Sequence, residues 1–307
     1  LHLGNLVRLP SGITTFDCIE FNPDLRTTDV FADVGFLVMD LTEKGHPELA
    51  AHFLNRYLER SGDYEGAVLL DLYFVYRCLV RAKVAAIRSR ERDDEDERAA
   101  DIADARDYSA MARRRATNGE PVLVIMHGLS GSGKTWLSER LMAALPAIRV
   151  RSDIERKRLF GLDEDADSES GIGSGIYSPS ASTETYERLF TLADSLLAAG
   201  HHVILDAAFL KKKQRVFARS VASSLDVDSV LVYAEAPVDV LRSRIERRAK
   251  RRDEASEANL AVLEHQLDSF TPAGSDERAI RVDTCNEIDV AHLVSSILAG
   301  HQERDTL

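Results

Sequence analysis

Hydrophobic positions in the second half of the chain fall into two rhythms. Short apolar runs occur at residues 122–126, 203–207 and 230–233, with a weaker one at 279–282 and a short apolar and polar alternation at 148–152. Between them, apolar residues recur at spacings of three and four. Leu137, Leu141, Ala144 and Leu145 follow the first run, and Tyr186, Leu189, Phe190, Ala193, Leu196 and Leu197 precede Gly200. Runs of this length read as buried strands, and the wider spacing reads as one face of a helix. Their alternation predicts an α/β fold, a parallel sheet flanked by helices.

The first half has a different pattern. Residues 6–9 read as a strand, Pro10 to Gly12 as a turn, and the next residues as a second strand reaching Asp17. From Pro47 onward the period is helical. Leu49, His52, Phe53 and residues 56–58 suggest one amphipathic helix, and Leu72, Val75, Tyr76, Leu79, Val80, Val84 and Ile87 form the core stripe of another. Residues 88–115 are mostly charged and predict a long solvated helix, with Arg113, Arg114 and Arg115 either its basic end or a docking patch. Gly and Pro in the stretch TNGEP place a linker at 116–121, between a mostly helical segment 1–115 and an α/β domain 122–307.

Composition narrows the function classes. Hydrophobic residues make up 44% of the 307, as in globular proteins. No apolar run approaches the roughly 20 residues of a membrane span, and no leader pattern opens the chain. Cys18, Cys78 and Cys285 are far apart and match no metal-ligand spacing, which fits reduced thiols used in packing; the chain reads as cytoplasmic. A net charge of −12 argues against broad binding to nucleic acid or anionic membrane, while leaving an oligonucleotide end among the acceptors to consider.

The first apolar run ends in Gly128, and the next residues read GLSGSGKT, satisfying G-x-x-x-x-G-K-[ST] through Gly128, Gly133, Lys134 and Thr135. This is a P-loop. Gly128, Gly131 and Gly133 permit backbone conformations closed to other residues, so that successive amides, those of Ser130 and Ser132 included, can turn around a phosphate. Lys134 brings a cation to the β- and γ-phosphates, and the Thr135 hydroxyl is suited to Mg²⁺. The helix that follows points its N-terminus at the anion. ATP and Mg²⁺ are the expected cofactors.

Other candidates take their places from the sheet. Strand ends in a parallel sheet face the ligand, so Asp153 after the second strand can accept a proton from an acceptor hydroxyl; it can equally cap the next helix together with Ser152. Asp206 ends the strand at 203–207 and fits a Mg²⁺-side carboxylate or a turn cap. The segment 237–252 carries six arginines, of which Arg244 and Arg248 share a helix face and can close over a transferring phosphoryl group. Residues 163–183 lack apolar period and predict a mobile loop over the acceptor. In the first half, a hairpin can bring Asn5 and Asp17 together as hard oxygen ligands for a metal.

Two resemblances sharpen these expectations. GLSGSGKT, RSDIERKRLFGL, GHHVILDAAF and RRDEASEA together resemble the small P-loop kinases related to gluconate kinase, zeta toxins and polynucleotide kinase. The resemblance implies transfer from ATP to a hydroxyl of a small molecule or nucleic-acid end, with Asp153 as base and Arg244 and Arg248 in the lid. An ATPase switch without a dedicated acceptor is the alternative. The segment LHLGN, with Asp17 and residues 29–41, resembles the end of the catalytic loop and the following helix of aminoglycoside phosphotransferases and choline kinases. His2 and Asn5 match that loop and Asp17 the metal-binding aspartate, but the family's catalytic aspartate would precede Leu1. This implies a fragment, or a lobe that has lost its activity, with Asn5 and Asp17 a vestigial or incomplete metal site.

Overall fold

The computed structural model describes residues 1–17, 21–117, 119–166, 168, 170–171, 173–249 and 259–299. Cys18, Arg251, Arg252 and the RRDEASEA stretch lie outside them. The chain divides into two compact units, one of Leu1–Leu54 with Asp63–Gly119, the other of Asn55–Gly62 with Glu120–Leu307. No helix among the described residues is long and apolar enough to cross a membrane.

The first unit opens with a hairpin of β1 (Leu6–Leu9) and β2 (Gly12–Thr15), paired from Leu6 opposite Thr15 to Leu9 opposite Gly12. The second strand stops at Thr15 rather than reaching Asp17, which takes a left-handed backbone with φ 62°. After one turn of helix, α1 (Pro23–Arg26), comes α2 (Val30–Glu43), capped by Asp29, whose Oδ1 accepts from Phe31 N at 2.8 Å. Phe31, Val34, Leu37, Val38 and Leu41 bury its apolar face. In α3 (Pro47–Ser61) the inward positions are Ala50, Ala51, Leu54 and Leu58, while Leu49 is exposed.

The helix α4 (Leu70–Glu91) departs most from the sequence pattern. Its buried face is Leu70, Phe74, Cys78, Ala82 and Ala85, and the stripe of Leu72, Tyr76, Leu79, Val84 and Ile87 is exposed. Two apolar faces satisfy the same period. The buried one meets α2 near Leu70 and Phe74, where Gly35 lets the two helices approach, and continues through Cys78, Ala82 and Ala85, whose small side chains suit close packing with the next helix. That next helix, α5 (Glu95–Ala116), is not a solvated continuation. The chain breaks at residues 92–94, Asp94 caps the new helix through Glu97 N at 2.9 Å, and α5 packs along α4 with Asp101, Tyr108, Met111 and Ala112 buried. Acidic residues fill its first turn and Arg113–Arg115 its last, which complements the helix dipole. Arg115 pairs with Asp71, so part of the basic run is structural.

The second unit is built on a parallel sheet. In chain order it has β3 (Val122–His127), α6 (Lys134–Ala144), β4 (Ile148–Arg151), α7 (Ser152–Leu159), α8 (Pro179–Ala198), β5 (Val203–Asp206), α9 (Lys212–Ser224), β6 (Asp228–Glu235), α10 (Val238–Ala249), α11 (Leu260–Ser269), β7 (Ile280–Asp283) and α12 (Val290–Ala299). The strand order is β4-β5-β3-β6-β7, every pairing parallel. Every residue of β3 is buried, as the unbroken apolar run requires of a central strand covered on both faces. The chain leaves β3 toward β4 and β5 on one side, then crosses to β6 and β7 on the other. Such a reversal opens a crevice at the strand ends. The helix expected at 184–199 starts earlier, at Pro179 behind the Ser178 cap, and Gly200, φ 87°, ends it in the left-handed backbone that a C-cap requires. Of the cysteines, Cys78 is buried and Cys285 exposed.

Two polar devices tie this unit together. At the sheet edge, Asn55 acts as a short substitute strand: its Nδ2 donates to Ala147 O at 2.9 Å and its Oδ1 accepts from Arg149 N at 2.7 Å. On the other side, the fully buried Arg215 donates to both oxygens of Glu277, at 2.8 and 2.7 Å, and to the carbonyls of Phe209 and Thr271. The Arg215 hydrogen bonds, joined by the amide of Gly274, hold the Glu277 carboxyl down to about 2 against an ordinary 4.5. A depressed carboxyl stabilises the fold fully above its ordinary value and loses that contribution as pH falls toward the folded one. Glu277→Gln is therefore expected to cost about 3–5 kcal/mol at pH 7, where it strands a buried charge. In urea titrations the gap from wild type should narrow between pH 4.5 and about 2; a gap independent of pH would refute the ion pair.

Candidate functional site

The loop between β3 and α6 is the most constrained backbone in the second unit. Gly128, Gly131 and Gly133 have φ of 139°, 81° and 87°. A Cβ on Gly128 would collide with the carbonyl of Ala234 in β6, and one on Gly131 would lie 2.7 Å from the carbonyl of Leu241 in α10. One on Gly133 would press on Thr284, just past β7, at 3.3 Å. Each glycine thus faces a different element, and two of the three face backbone, which cannot yield.

Side chains fix the loop from outside. Thr284 Oγ1 donates to Ser132 O at 2.7 Å and accepts from Arg244, whose other nitrogen donates to Thr284 O at 2.7 Å. Gln266 of α11 takes the amide of Ser130 on its Oε1 at 2.8 Å. Leu129 packs into an apolar cluster with Leu241, Ile245 and Leu263, so α10 and α11 both close on the loop. His127, the last residue of β3, is fully buried between Phe270, stacked at 5.2 Å, and Tyr233 at 4.6 Å. Burial, chiefly, lowers its pKa to about 4 and keeps the ring neutral, so the loop begins on an uncharged support.

Within the loop, polar groups await partners. The Ser132 hydroxyl is buried and has no hydrogen bond among the described residues. Lys134, the first residue of α6, folds its ammonium back onto Leu129 O at 2.7 Å. Burial of that ammonium, the leading cause, lowers its pKa to about 8; the nearby carboxylates of Asp206 and Asp153 oppose this and Arg248 adds to it. These four charged groups are therefore electrostatic neighbours. A glycine cradle, an orphaned hydroxyl and a desolvated ammonium together fit a polyphosphate. For a divalent cation, the exposed Thr135 hydroxyl and the Asp206 carboxylate supply hard oxygen.

The carboxylates differ in how they are held. Asp206, 5% exposed at the end of β5, accepts from Ser138 Oγ at 2.8 Å on Oδ2. Asp153 is half-buried one residue inside α7, whose N-cap position is Arg151 with no side-chain cap bond, so the capping role open to Ser152 and Asp153 is not used. Tyr186, of α8, lies close enough to Asp153 and Arg156 to feel both charges. Its hydroxyl accepts the amide of Phe209, and burial pushes its pKa up to about 12. Phe209 itself carries a left-handed φ of 47° while fully buried, strain of a kind that gathers at working sites. Arg156 holds the segment ahead of α8 through Ile176 O at 2.8 Å and faces the ring of Tyr177, so this stretch is anchored in part rather than free throughout.

The arginines of α10 separate. Arg244 is engaged with Gly131 O and Thr284 and braces the loop, whereas the charge of Arg248 is felt at Lys134. Asn5 and Asp17 belong to the first unit. Asn5 returns its Oδ1 to the amide of His2 at 3.3 Å, and its carbonyl accepts from Phe16, the neighbour of the exposed Asp17. Among the described residues no group of three or more His, Cys, Asp and Glu side chains could hold a metal. Gln266, Thr284 and Ser138 were not among the sequence candidates; each meets the site through a single atom, with no motif to mark it.

Comparison with known proteins follows this geometry. Residues 123–273 match the AAA_33 family model, an AAA domain. The chain is 32% identical over 273 residues to uncharacterized proteins of Mycobacterium tuberculosis and Mycobacterium bovis, covering 86% of itself and 53% of each relative. It thus spans about half the length of the curated relatives it matches. Similar solved structures include the APS kinase CysC of M. tuberculosis, at 20% identity and TM-score 0.43, covering 59% of this chain and 98% of that one. A gluconokinase from Sinorhizobium meliloti 1021 is 18% identical with TM-score 0.42 over 61% and 97% of the two chains. Kti12 of Chaetomium thermophilum is 16% identical with TM-score 0.46 over 58% and 97%. Residues 123–273, which match the AAA_33 model, thus hold the P-loop and most of the five-stranded parallel sheet, whose last strand, β7, follows them.

Proposed function

We propose that the second unit is an ATP-dependent phosphotransferase acting on a hydroxyl of a small molecule or a nucleic-acid end. The observation that carries this reading is the desolvated Lys134 ammonium at the end of a glycine loop, within electrostatic reach of Asp153, Asp206 and Arg248 from three other elements. ATP supplies the transferable phosphoryl group, and Mg²⁺ spreads its charge. Phosphoryl transfer asks little covalent chemistry of a protein and much positioning, which is what a braced loop provides.

The residues divide the work. Gly128 to Thr135 cradle the phosphates through the remaining amides of the loop, because those expected from Ser130 and Ser132 are taken by Gln266 Oε1 and Leu129 O, and Lys134 leaves Leu129 O for the β- and γ-phosphates. Thr135 and Asp206 hold the metal side. Asp153, uncommitted as a cap, accepts the proton of the acceptor hydroxyl as its oxygen attacks. Arg248 stabilises charge on the transferring group, and Arg244 holds the loop in shape. In the alternative, an ATPase switch lacking an acceptor, Asp153, which has no hydrogen bond among the described residues, would serve a water in place of the acceptor hydroxyl.

Two tests follow. Asp153→Asn keeps size and polarity but not basicity, so transfer to a confirmed acceptor should fall by about 10²- to 10⁴-fold with ATP affinity kept. Turnover near wild type would remove Asp153 from the chemistry. The second test uses pH. A Lys134 ammonium that titrates at about 8 in the free protein is raised by an adjacent polyphosphate, so binding at pH 8.5 must take up a proton, and affinity must fall as pH rises through 8. Calorimetry of ATP binding in two buffers of different ionisation enthalpy should report that uptake in wild type and lose it in Lys134→Met. Equal apparent enthalpies in wild type would contradict the assignment.

A further inference from the structure

A line of four buried polar side chains runs from the sheet edge to Asp206. Glu59, in the part of α3 that belongs to the second unit, accepts from Arg149 Nη2 on Oε1 at 2.8 Å. Arg149 Nη1 points at Ser138 Oγ at 3.4 Å, and Ser138 Oγ lies 2.8 Å from Asp206 Oδ2. Glu59, Arg149, Ser138 and Asp206 are respectively 4%, 6%, 0% and 5% exposed, so water screens none of these contacts. The parallel register sets the geometry: Arg149 pairs with Ile204 and Arg151 with Asp206, which places Arg149 and Asp206 on one face of the sheet. Asn55, one turn before Glu59, grips the backbone of the same strand at Ala147 and Arg149.

We propose that Glu59 and Arg149 are positioning residues for the Asp206 carboxylate. The inference rests on the reading of Asp206 as a metal-side group. Arg149 directs a donor at the Ser138 oxygen, which turns the hydroxyl proton toward Asp206 Oδ2 and away from its other acceptor, Thr135 O at 3.0 Å. Oδ2 is thereby occupied, and Oδ1, which has no hydrogen bond among the described residues, stays open to a cation. Glu59 has a second task. It neutralises a buried guanidinium only one hydroxyl away from Asp206. Without Glu59 the guanidinium loses its paired carboxylate while Asp206 stands beyond one hydroxyl, and an Arg149–Asp206 pair would compete directly with Mg²⁺. A segment from the first half of the sequence thus sets the cation affinity of a site in the second.

The test measures metal coupling rather than turnover. The affinity of ADP and of a non-hydrolysable ATP analogue is determined by calorimetry on the full chain in EDTA and in Mg²⁺, and the ratio of the two affinities is the coupling. Glu59→Gln should leave the EDTA affinity near wild type and reduce the coupling about tenfold or more, the usual cost of losing an outer-shell partner. Glu59→Gln with Arg149→Met should recover most of it, because the competing charge has gone. Ser138→Ala, the mildest change, should lower the coupling on its own and serves where Glu59→Gln does not fold. Coupling unchanged in Ser138→Ala, or unchanged in folded Glu59→Gln, overturns the proposal if Asp206→Asn still reduces it. Coupling unchanged in Asp206→Asn overturns the reading of Asp206 and the proposal with it.

Discussion

The second unit is organised by the closeness with which the P-loop backbone meets its neighbours. At Gly128 and Gly131 there is no volume for a Cβ, because carbonyls of β6 and α10 already stand there. Backbone cannot move aside as a side chain can, so the loop conformation is imposed by elements more than a hundred residues later in the chain. Thr284 and Gln266 complete the enclosure by taking one carbonyl and one amide of the loop. A backbone cradle works only if it is held in shape before a ligand arrives, and here β6, α10, α11 and the residue that follows β7 all share in holding it.

Buried charge in this unit comes in two kinds. Arg215 with Glu277, and Arg149 with Glu59, are paired and nearly or fully enclosed, and each ties together segments distant in sequence. A pair of this sort adds little net stability compared with a well-packed apolar core, but it is intolerant of losing one partner, which makes it a good device for fixing geometry. Lys134 is the opposite kind. Its ammonium is desolvated and rests on a carbonyl, and burial brings its pKa down to about 8. A cation held at a cost is poised to gain from an incoming anion.

The first unit shows how little a period reveals about burial. Both faces of α4 carry apolar residues at spacings of three and four, and Leu72, Tyr76 and Leu79 are exposed while Leu70, Phe74 and Cys78 are buried. Cys78, Ala82 and Ala85 are buried because small side chains let helices pack close, and a scale that rewards bulk overlooks them. The break at residues 92–94 follows the same lesson. Charge content suggested one solvated helix, yet Asp94 caps a second, and Arg88 and Arg92 reach back to Asp101 to hold the turn.

By itself the sequence determined the P-loop, the strands that deliver it and the carboxylates at their ends. These depend on local chemistry, in which glycine admits a left-handed backbone, an unbroken apolar run demands burial, and a residue just past a parallel strand faces the crevice. Asp153 and Asp206 were legible for that reason. What only the tertiary structure decided is who touches whom across long separations. Arg244 braces Thr284; Gln266 finds Ser130; and Asn55 and Glu59, read as part of an ordinary amphipathic helix, belong with β4. No period or motif marks such residues, because each acts through polar atoms whose partners are brought near only by the folding of the sheet.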